Sequence, residues 1–276
     1  MILSFHPCFV ADAQVIPGGR KLDSRDLSLI AGAKAVILPQ SCSLDLYRAC
    51  RSSSALLFPN YDFRFKYRGK TGQSRFFENM ACPFPLTRRW RSTKVLMRAR
   101  IREWPLFIKA DNSHEGTGVW LIRDRGELES ALARLEDWGG PPFITQQVIL
   151  CDGNVLRVVV LGKRFVSYWK RPAEKGAMVT TVSRGARVDK RWRRDLQAKG
   201  VAAAGRVCKA SGINLAAMDF LFPMTEVDPE PLILEINYYF GRRGLGGSLK
   251  YYRLLHRAIR EWLEGHEIDP NPVKLI

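Results

Sequence analysis

Pro231-Leu232-Ile233-Leu234-Glu235-Ile236-Asn237 reads as an apolar strand that ends by presenting a carboxylate and an amide two residues apart. Alternate residues of a strand share a face, so Glu235 and Asn237 point the same way. A carboxylate among apolar neighbours is costly unless something neutralises it. Oxygen ligands at this spacing suit a hard cation such as magnesium, which usually sits on nucleotide phosphates. A second apolar strand, Ala216-Ala217-Met218-Asp219-Phe220-Leu221-Phe222, carries one more carboxylate. Taken singly, each strand is better explained as a core strand with an acidic end. What lies upstream shifts the balance.

Leu106-Phe107-Ile108-Lys109 is a strand that ends on a lysine. The loop Asp111-Asn112-Ser113-His114-Glu115-Gly116-Thr117-Gly118 follows it, and a further strand begins at Val119. A hairpin of this kind can fold over a triphosphate: its glycines let backbone N–H groups approach the oxygens, and the lysine balances charge. It is not a Walker A loop, because no G-K-[ST] opens a helix. Arg157 lies inside Val155-Leu156-Arg157-Val158-Val159-Val160, where a charge must be paired or face a site. Arg171 follows a strand that ends Tyr168-Trp169-Lys170. After Asn237 comes Tyr238-Tyr239-Phe240-Gly241-Arg242-Arg243-Gly244-Leu245-Gly246-Gly247, a glycine-rich, doubly basic loop suited to an anionic group. Each feature alone has an ordinary explanation as a hairpin turn or a strand edge in water.

The first part of the chain alternates short strands and helices. Ile2 to Phe5, Ala35 to Leu38 and Ala55 to Phe58 read as strands; Asp26 to Ala33, with Ser24 as its cap, Ser43 to Cys50 and Gln73 to Met80 read as helices. Such alternation predicts βαβ units and a small parallel sheet. Cys82-Pro83-Phe84-Pro85-Leu86-Thr87 is held extended by its prolines, and the domain boundary is placed there, at 87/88. Beyond it strands dominate: Pro105 to Lys109, Val119 to Arg123, Phe143 to Ile149, Val155 to Leu161, Arg164 to Trp169, Ile213 to Phe222 and Leu232 to Phe240. Helices are expected over Asp124 to Trp138, Lys190 to Ala210 and Leu249 to Leu263.

With 276 residues the chain has room for two domains or one large one. Six scattered cysteines, with no C-x-x-C pair and no histidine cluster nearby, argue against a zinc site or a disulfide framework and fit a reducing compartment. The first ten residues lack a basic n-region and no apolar run reaches membrane-spanning length, so a soluble cytoplasmic protein without a membrane partner is expected. The formal net charge of +17 draws in anions, whether nucleotide phosphates, an acidic substrate or nucleic acid. Arg88, Arg89, Arg91, Lys94, Arg98, Arg100 and Arg102 concentrate it, as do Arg184, Arg187, Lys190, Arg191, Arg193, Arg194 and Lys199. Either group reads equally well as a solvated helical face.

The order of these parts resembles the ATP-grasp superfamily, and within it the RimK-like and glutathione-synthetase-like carboxylate–amine ligases. The sequence runs from a lysine strand and glycine loop to an arginine strand, then to an aspartate strand, a Glu-x-Asn strand and a glycine-basic loop. The match begins at Gly69-Lys70, where the family commonly has Asp-Lys, and passes Pro83-x-Pro85-x-Thr87 at a similar spacing. It runs on through Phe107 to Val119, Thr145 to Arg171 and Asn214 to Gly247. The implied architecture is an α/β and α+β fold: a Rossmann-like N-terminal domain of small parallel-sheet type (1–87), then a two-lobed ATP-grasp domain (88–276) with ATP between lobes at about 88–145 and 146–276. By the resemblance, Lys70 and Lys109 would contact ATP phosphates, and Glu115, Gly116 and Gly118 would lie in the loop covering them. Gln146, Gln147, Val148 and Ile149 would hold adenine. Asp219, Glu235 and Asn237 would ligate one or two magnesium ions, or manganese. Arg157 and Arg171 would steady the transferred phosphoryl group, and Arg242, Arg243 and Gly244 would face the acceptor. Gln147 stands where the family usually has Glu, Val155 where an acid is common and Phe240 where proline is frequent.

The chemistry so implied is an ATP- and magnesium-dependent ligation through an acyl phosphate, which needs positioning and charge neutralisation more than a protein nucleophile. The substrate expected is a small molecule or peptide, with acidic character suggested by the charge surplus. A small-molecule kinase on the same fold is the alternative, and a non-enzymatic basic nucleic-acid-binding protein is the second. Oligomerisation is left open.

Overall fold

The computed structural model describes residues 1–53, 55–101, 103–113, 117–173 and 185–276. The N-terminal region builds β1 (Ile2–Ser4), β2 (Phe9–Val10), β3 (Ala13–Gln14), α1 (Ser24–Ala31), β4 (Ala35–Ile37), α2 (Leu44–Arg51) and β5 (Leu56–Phe58). Its sheet has the order β3-β1-β4-β5 with every pair parallel, as the alternating pattern predicts. β1 and β4 are buried at each position, which is why they read as unbroken apolar runs. The cap of α1 is Asp23 rather than the expected Ser24. The Asp23 carboxylate accepts from the Asp26 N–H and the Asp26 carboxylate returns the bond, a reciprocal arrangement that fixes the helix start one residue earlier. Ser43 caps α2 through the Leu46 N–H.

Two helices, α3 (Asp62–Lys66) and α4 (Gly69–Asn79), lead through the extended segment 82–86 into a second sheet. It comprises β6 (Thr87–Trp90), β7 (Leu106–Ala110), β8 (Val119–Ile122) and β9 (Phe143–Gln147) in the antiparallel order β6-β9-β7-β8. The helices α5 (Thr93–Arg98) and α6 (Leu128–Asp137) share a core with it, through Leu96, Leu128, Leu132 and Leu135 against Ile108, Ile122 and Phe143.

The third sheet holds β10 (Val155–Leu161), β11 (Arg164–Arg171), β12 (Arg187–Asp189), β13 (Leu215–Leu221) and β14 (Leu232–Asn237) in the order β12-β11-β10-β13-β14, again antiparallel. Alternation sorts its side chains. Leu156, Val158, Val160, Trp169, Met218, Phe220, Ile233 and Ile236 pack with α7 (Arg194–Ser211). Val159, Leu161, Tyr168, Leu215 and Ala217 pack with α8 (Ser248–Glu264), and the same core takes in Ile2, Ile37 and Phe58 of the parallel sheet. β15 (Lys274–Leu275) pairs with β2. α7 starts at Arg194, later than its expected start at Lys190, because the Asp189 carboxylate accepts the N–H groups of Arg191 and Trp192 and holds that stretch as a turn. Among the described residues, no helix is long and apolar enough to cross a membrane.

The basic runs are interleaved with acids in space. Arg89 binds Glu78 at 2.8 Å, Arg193 binds Asp195, and Lys199 reaches both Asp228 and Glu230.

Candidate active site

The third sheet lines up charged residues on the end of the face it shares with α8. Arg157 stands directly opposite Asp219 across β10 and β13, and Asp219 directly opposite Glu235 across β13 and β14. On the other side, Tyr168 of β11 stands opposite Arg157, and Lys170 is the next residue of that strand on the same face. A β-bulge makes the Asp219–Glu235 match. Phe220 pairs with Ile233 while Asp219 pairs with Glu235, so Leu234 is an extra residue on β14.

Asp219 is 0% exposed and carries three charged hydrogen bonds. Arg157 donates from Nε to Oδ1 at 2.8 Å and from Nη2 to Oδ2 at 2.7 Å. Lys170 donates from Nζ to Oδ2 at 2.7 Å. Burial pushes the Asp219 carboxyl up, but Arg157 and then Lys170 outweigh it and hold it well below the usual carboxylate range. Burial likewise works against the Arg157 guanidinium, yet Asp219 raises it above the ordinary arginine value. Lys170, 4% exposed, is pulled below the ordinary lysine value by burial despite Asp219. The three form a closed ion cluster with one anion and two cations.

Glu235 and Asn237 are only partly buried. The Asn237 amide donates to Glu235 Oε1 at 3.0 Å, which leaves the amide oxygen as the group able to ligate. The Lys70 ammonium lies 3.7 Å from Glu235 Oε2 and donates to the Ser113 carbonyl at 3.1 Å. Lys70 is placed by the start of α4. Its own N–H bonds the Asp111 carbonyl, and the Thr71 N–H bonds the Asp111 carboxylate at 2.7 Å. Gly69 precedes it with φ +67°, and a Cβ there would sit 2.0 Å from Asp111 Oδ2. Only glycine fits that backbone and that approach. The Gln73 amide bonds both the N–H and the carbonyl of Ile236, which fastens α4 to the edge strand bearing Glu235.

From the second sheet, Lys109 donates to Gln146 Oε1 at 2.5 Å. Gln146, 5% exposed, donates in turn to Thr87 Oγ1 at 2.9 Å. Burial, and next the nearby Lys70 ammonium, push Lys109 down to about 7 against the opposing pull of Glu235. Lys70, Lys109, Gln146 and Glu235 line one narrow pocket with Phe77 and Phe84.

Lys70, Lys109, Gln146, Asp219, Glu235, Asn237 and Arg157 therefore converge. Arg171 does not join them. It lies on the opposite face of β11, where its guanidinium bonds Asp189 at 3.3 Å and stacks 4.6 Å from the centre of the Trp192 ring. Gln147 is exposed and its N–H bonds the Leu86 carbonyl; Val148 and Ile149 follow, half-buried. Gly118 closes the β7–β8 loop with φ +61°, its carbonyl accepting from the Ala110 N–H. Glu115 and Gly116 lie outside the described residues. Arg242 stacks on the rings of Tyr251 and Tyr252, at 4.9 and 4.5 Å. Arg243 and Gly244 belong to a short 3-10 turn, and Gly244 abuts the Tyr168 ring. Lys170 and Gln73 are the site residues that sequence reasoning passed over. The signal for Lys170 was its parity with Tyr168, once Tyr168 is set opposite Arg157.

A hard divalent cation takes oxygen donors and retains water. Glu235 and Asn237 offer a carboxylate and an amide oxygen on one face, and they fit such an ion. Asp219 as placed does not, because three charged hydrogen bonds occupy its oxygens. Among the described residues, no group of three or more His, Cys, Asp or Glu side chains forms a metal cage of its own.

Residues 86–250 match the family described as RimK-like ATP-grasp domain. The probable alpha-L-glutamate ligase of Pectobacterium carotovorum is 27% identical over 141 residues, covering 51% of this chain and 44% of that protein. The probable alpha-L-glutamate ligase 1 of Shewanella amazonensis is 28% identical over 146 residues, covering 52% and 46%. The chain thus aligns with slightly less than half the length of these curated relatives. In fold it is similar to a RimK domain ATP-grasp protein from Sphaerobacter thermophilus, with TM-score 0.57, 15% identity and 88% of each chain covered. It is also similar to N5-carboxyaminoimidazole ribonucleotide synthetase from Thermotoga maritima, with TM-score 0.63, 15% identity, and 94% of this chain and 67% of the other covered. D-alanine-D-alanine ligase from Helicobacter pylori gives TM-score 0.60 at 13% identity, over 82% and 72% of the two chains.

Proposed function

The chain belongs to the RimK-like ATP-grasp family, and from that premise we propose that it is an ATP-dependent ligase joining a carboxylate to an amine. The observation that carries this reading is the convergence of Lys70, Lys109 and Gln146 on Glu235, at the edge of the cluster formed by Arg157, Asp219 and Lys170. Lys109 of the second sheet and Lys70 of α4 thereby share one pocket with Glu235 of the third sheet. We take residues 1–87 and 88–276 as its two domains.

In this reading adenine lies along Gln146, Gln147, Val148 and Ile149, at the end of β9 and just beyond it. The phosphates extend toward Lys109 and Lys70. A magnesium ion bound by Glu235 and Asn237 would neutralise phosphate charge. Arg157 meets the transferred phosphoryl group, and its cluster keeps a net charge of +1 because two cations face one anion. A carboxylate oxygen of the substrate attacks the γ-phosphorus, the bond to the ADP oxygen breaks, and an acyl phosphate forms. The amine nitrogen of the second substrate then attacks the acyl carbon, phosphate departs and the nitrogen loses a proton. The protein's part is to align the reactants and to keep compensating charge fixed in place.

The relatives named as probable glutamate ligases and the surplus of +17 both favour an acidic amino acid or acidic peptide as one reactant. In this reading Arg242, Arg243 and Gly244 would face that reactant. The test is ADP release by purified protein offered ATP, magnesium and pools of amino acids and acidic peptides. Acceptor-dependent ADP, with hydroxylamine converting the intermediate to a hydroxamate, is the expected result. ADP formation that yields a phosphorylated acceptor and no hydroxamate would turn the assignment to a kinase. Normal ATP binding with no acceptor-dependent ADP would remove the ligase reading.

A further inference from the structure

Next to Glu235, the charged face of the third sheet carries a cation supplied by the protein itself. Lys170 Nζ lies 2.7 Å from Asp219 Oδ2, and the same oxygen accepts from Arg157 Nη2 at 2.7 Å. The other oxygen accepts from Arg157 Nε at 2.8 Å. A magnesium ion binds oxygen at about 2.0–2.1 Å and requires near-octahedral surroundings. At Asp219 Oδ2 it would have to share the oxygen with an ammonium and a guanidinium, both of like charge and both within contact distance.

Lys170 is not easily displaced. Trp169 before it is 1% exposed in the core against α7, and Arg171 after it is held by Asp189 and Trp192. Both neighbours point to the opposite face, so strand alternation commits the Lys170 side chain to Asp219. Its ammonium is nearly enclosed, and leaving Asp219 would strand a buried charge without a partner. Glu235, by contrast, is a third exposed, and its contacts are the Asn237 amide and, at 3.7 Å, Lys70.

We propose that Lys170 takes, at Asp219, the place of one divalent cation, so that the nucleotide complex holds a single metal ion, on Glu235 and Asn237. Asp219 then serves as the anchor that orients Arg157 and Lys170 toward the phosphates. This inference rests on the ATP-binding part of the proposed function and adds to it the number of ions and the identity of the residue that sets that number.

Manganese bound to the full chain in the presence of a non-hydrolysable ATP analogue can be counted by electron paramagnetic resonance. Wild type is expected to hold one ion per nucleotide complex, Lys170→Arg also one, and Lys170→Met two. Two ions in the wild type would overturn the proposal, as would a single ion in a folded, analogue-binding Lys170→Met protein. Should Lys170→Met not fold, the wild-type and Lys170→Arg counts decide. Failure of the analogue to bind at all would overturn the nucleotide site, and this inference with it. Binding with two ions would overturn the inference alone.

Discussion

Gly244 lies so close to Tyr168 that a Cβ added to it would stand 2.0 Å from the ring's Cζ and 2.4 Å from both Cε atoms. The ring is 1% exposed and sits directly across from Arg157, so it has no room to retreat without disturbing that guanidinium. Gly244→Ala is therefore expected to destabilise the protein by about 1–3 kcal/mol through overpacking. Urea titration checks the stability loss. Steady-state kinetics should show a fall in kcat that stabilising conditions do not restore, because the displaced ring shifts Arg157.

Asp219→Asn removes the anion that two enclosed cations share. Breaking a buried ion pair on one side typically costs about 3–5 kcal/mol, since the remaining charge has no partner. A loss of that order in a denaturant titration is expected for the single variant. Adding Lys170→Met removes one of the stranded cations and should recover part of the loss, a coupling that a double-mutant cycle measures. Strictly additive effects would mean that the two residues do not act as a pair.

Lys109 gives a pH signature. Its folded value is lowered to about 7 from an ordinary 10.5. Between those values the unfolded chain holds a proton that the native protein lacks, so this residue's contribution to stability rises with pH through that window and is least favourable below about 7. Phosphate anions placed beside the lysine would raise its value again. At about pH 8, nucleotide binding should take up close to one proton. Calorimetry in buffers of different ionisation enthalpy reads this uptake, and Lys109→Met should abolish it.

Arg157 and Arg171 are separated by the sheet, and their variants should differ accordingly. Arg157→Ala is expected to lower kcat/KM by two orders of magnitude or so, as losing a charge-stabilising donor does. Arg171→Ala should leave kcat/KM within about threefold, and its loss of the Trp192 stack should cost roughly 0.5–1 kcal/mol of stability. Equal damage from both variants would place Arg171 in the reaction after all.

Glu235→Gln keeps the shape of a side chain that is one-third exposed and removes its charge. Turnover should fall by about 10²-fold or more, while stability changes by about 1 kcal/mol or less. Thermal denaturation beside an ADP-release assay separates the two effects.

Much of this arrangement was legible in the amino-acid order. The alternation of short strands and helices before Pro83 predicted the parallel sheet, and the Glu235–Asn237 spacing predicted two side chains on one face. The neighbours of Asp219 were harder to foresee. Tyr168-Trp169-Lys170-Arg171 offers two adjacent cations, and which of them faces Asp219 depends on register with β10, set by long-range pairing that no local pattern encodes. For α5 the sequence offers a helical face as one of two readings and no bounds, because its residues, Thr93 to Arg98, sit in a strongly basic run and bury one leucine, Leu96. The cap of α1 shifted by one residue because Asp23 and Asp26 pair reciprocally, each carboxylate accepting the other's N–H.

The extra residue in β14 has a consequence for anyone altering this chain. Ile233 and Ile236, three apart, both enter the core against α7, while Glu235 and Asn237 turn the other way. Deleting Leu234 would leave Ile233, Glu235, Ile236 and Asn237 in plain alternation, so the shortened strand would keep both facings and lose the bend and extra twist that the bulge supplies. The bulge thus tunes the local direction of the strand that carries Glu235, not the face on which the carboxylate stands.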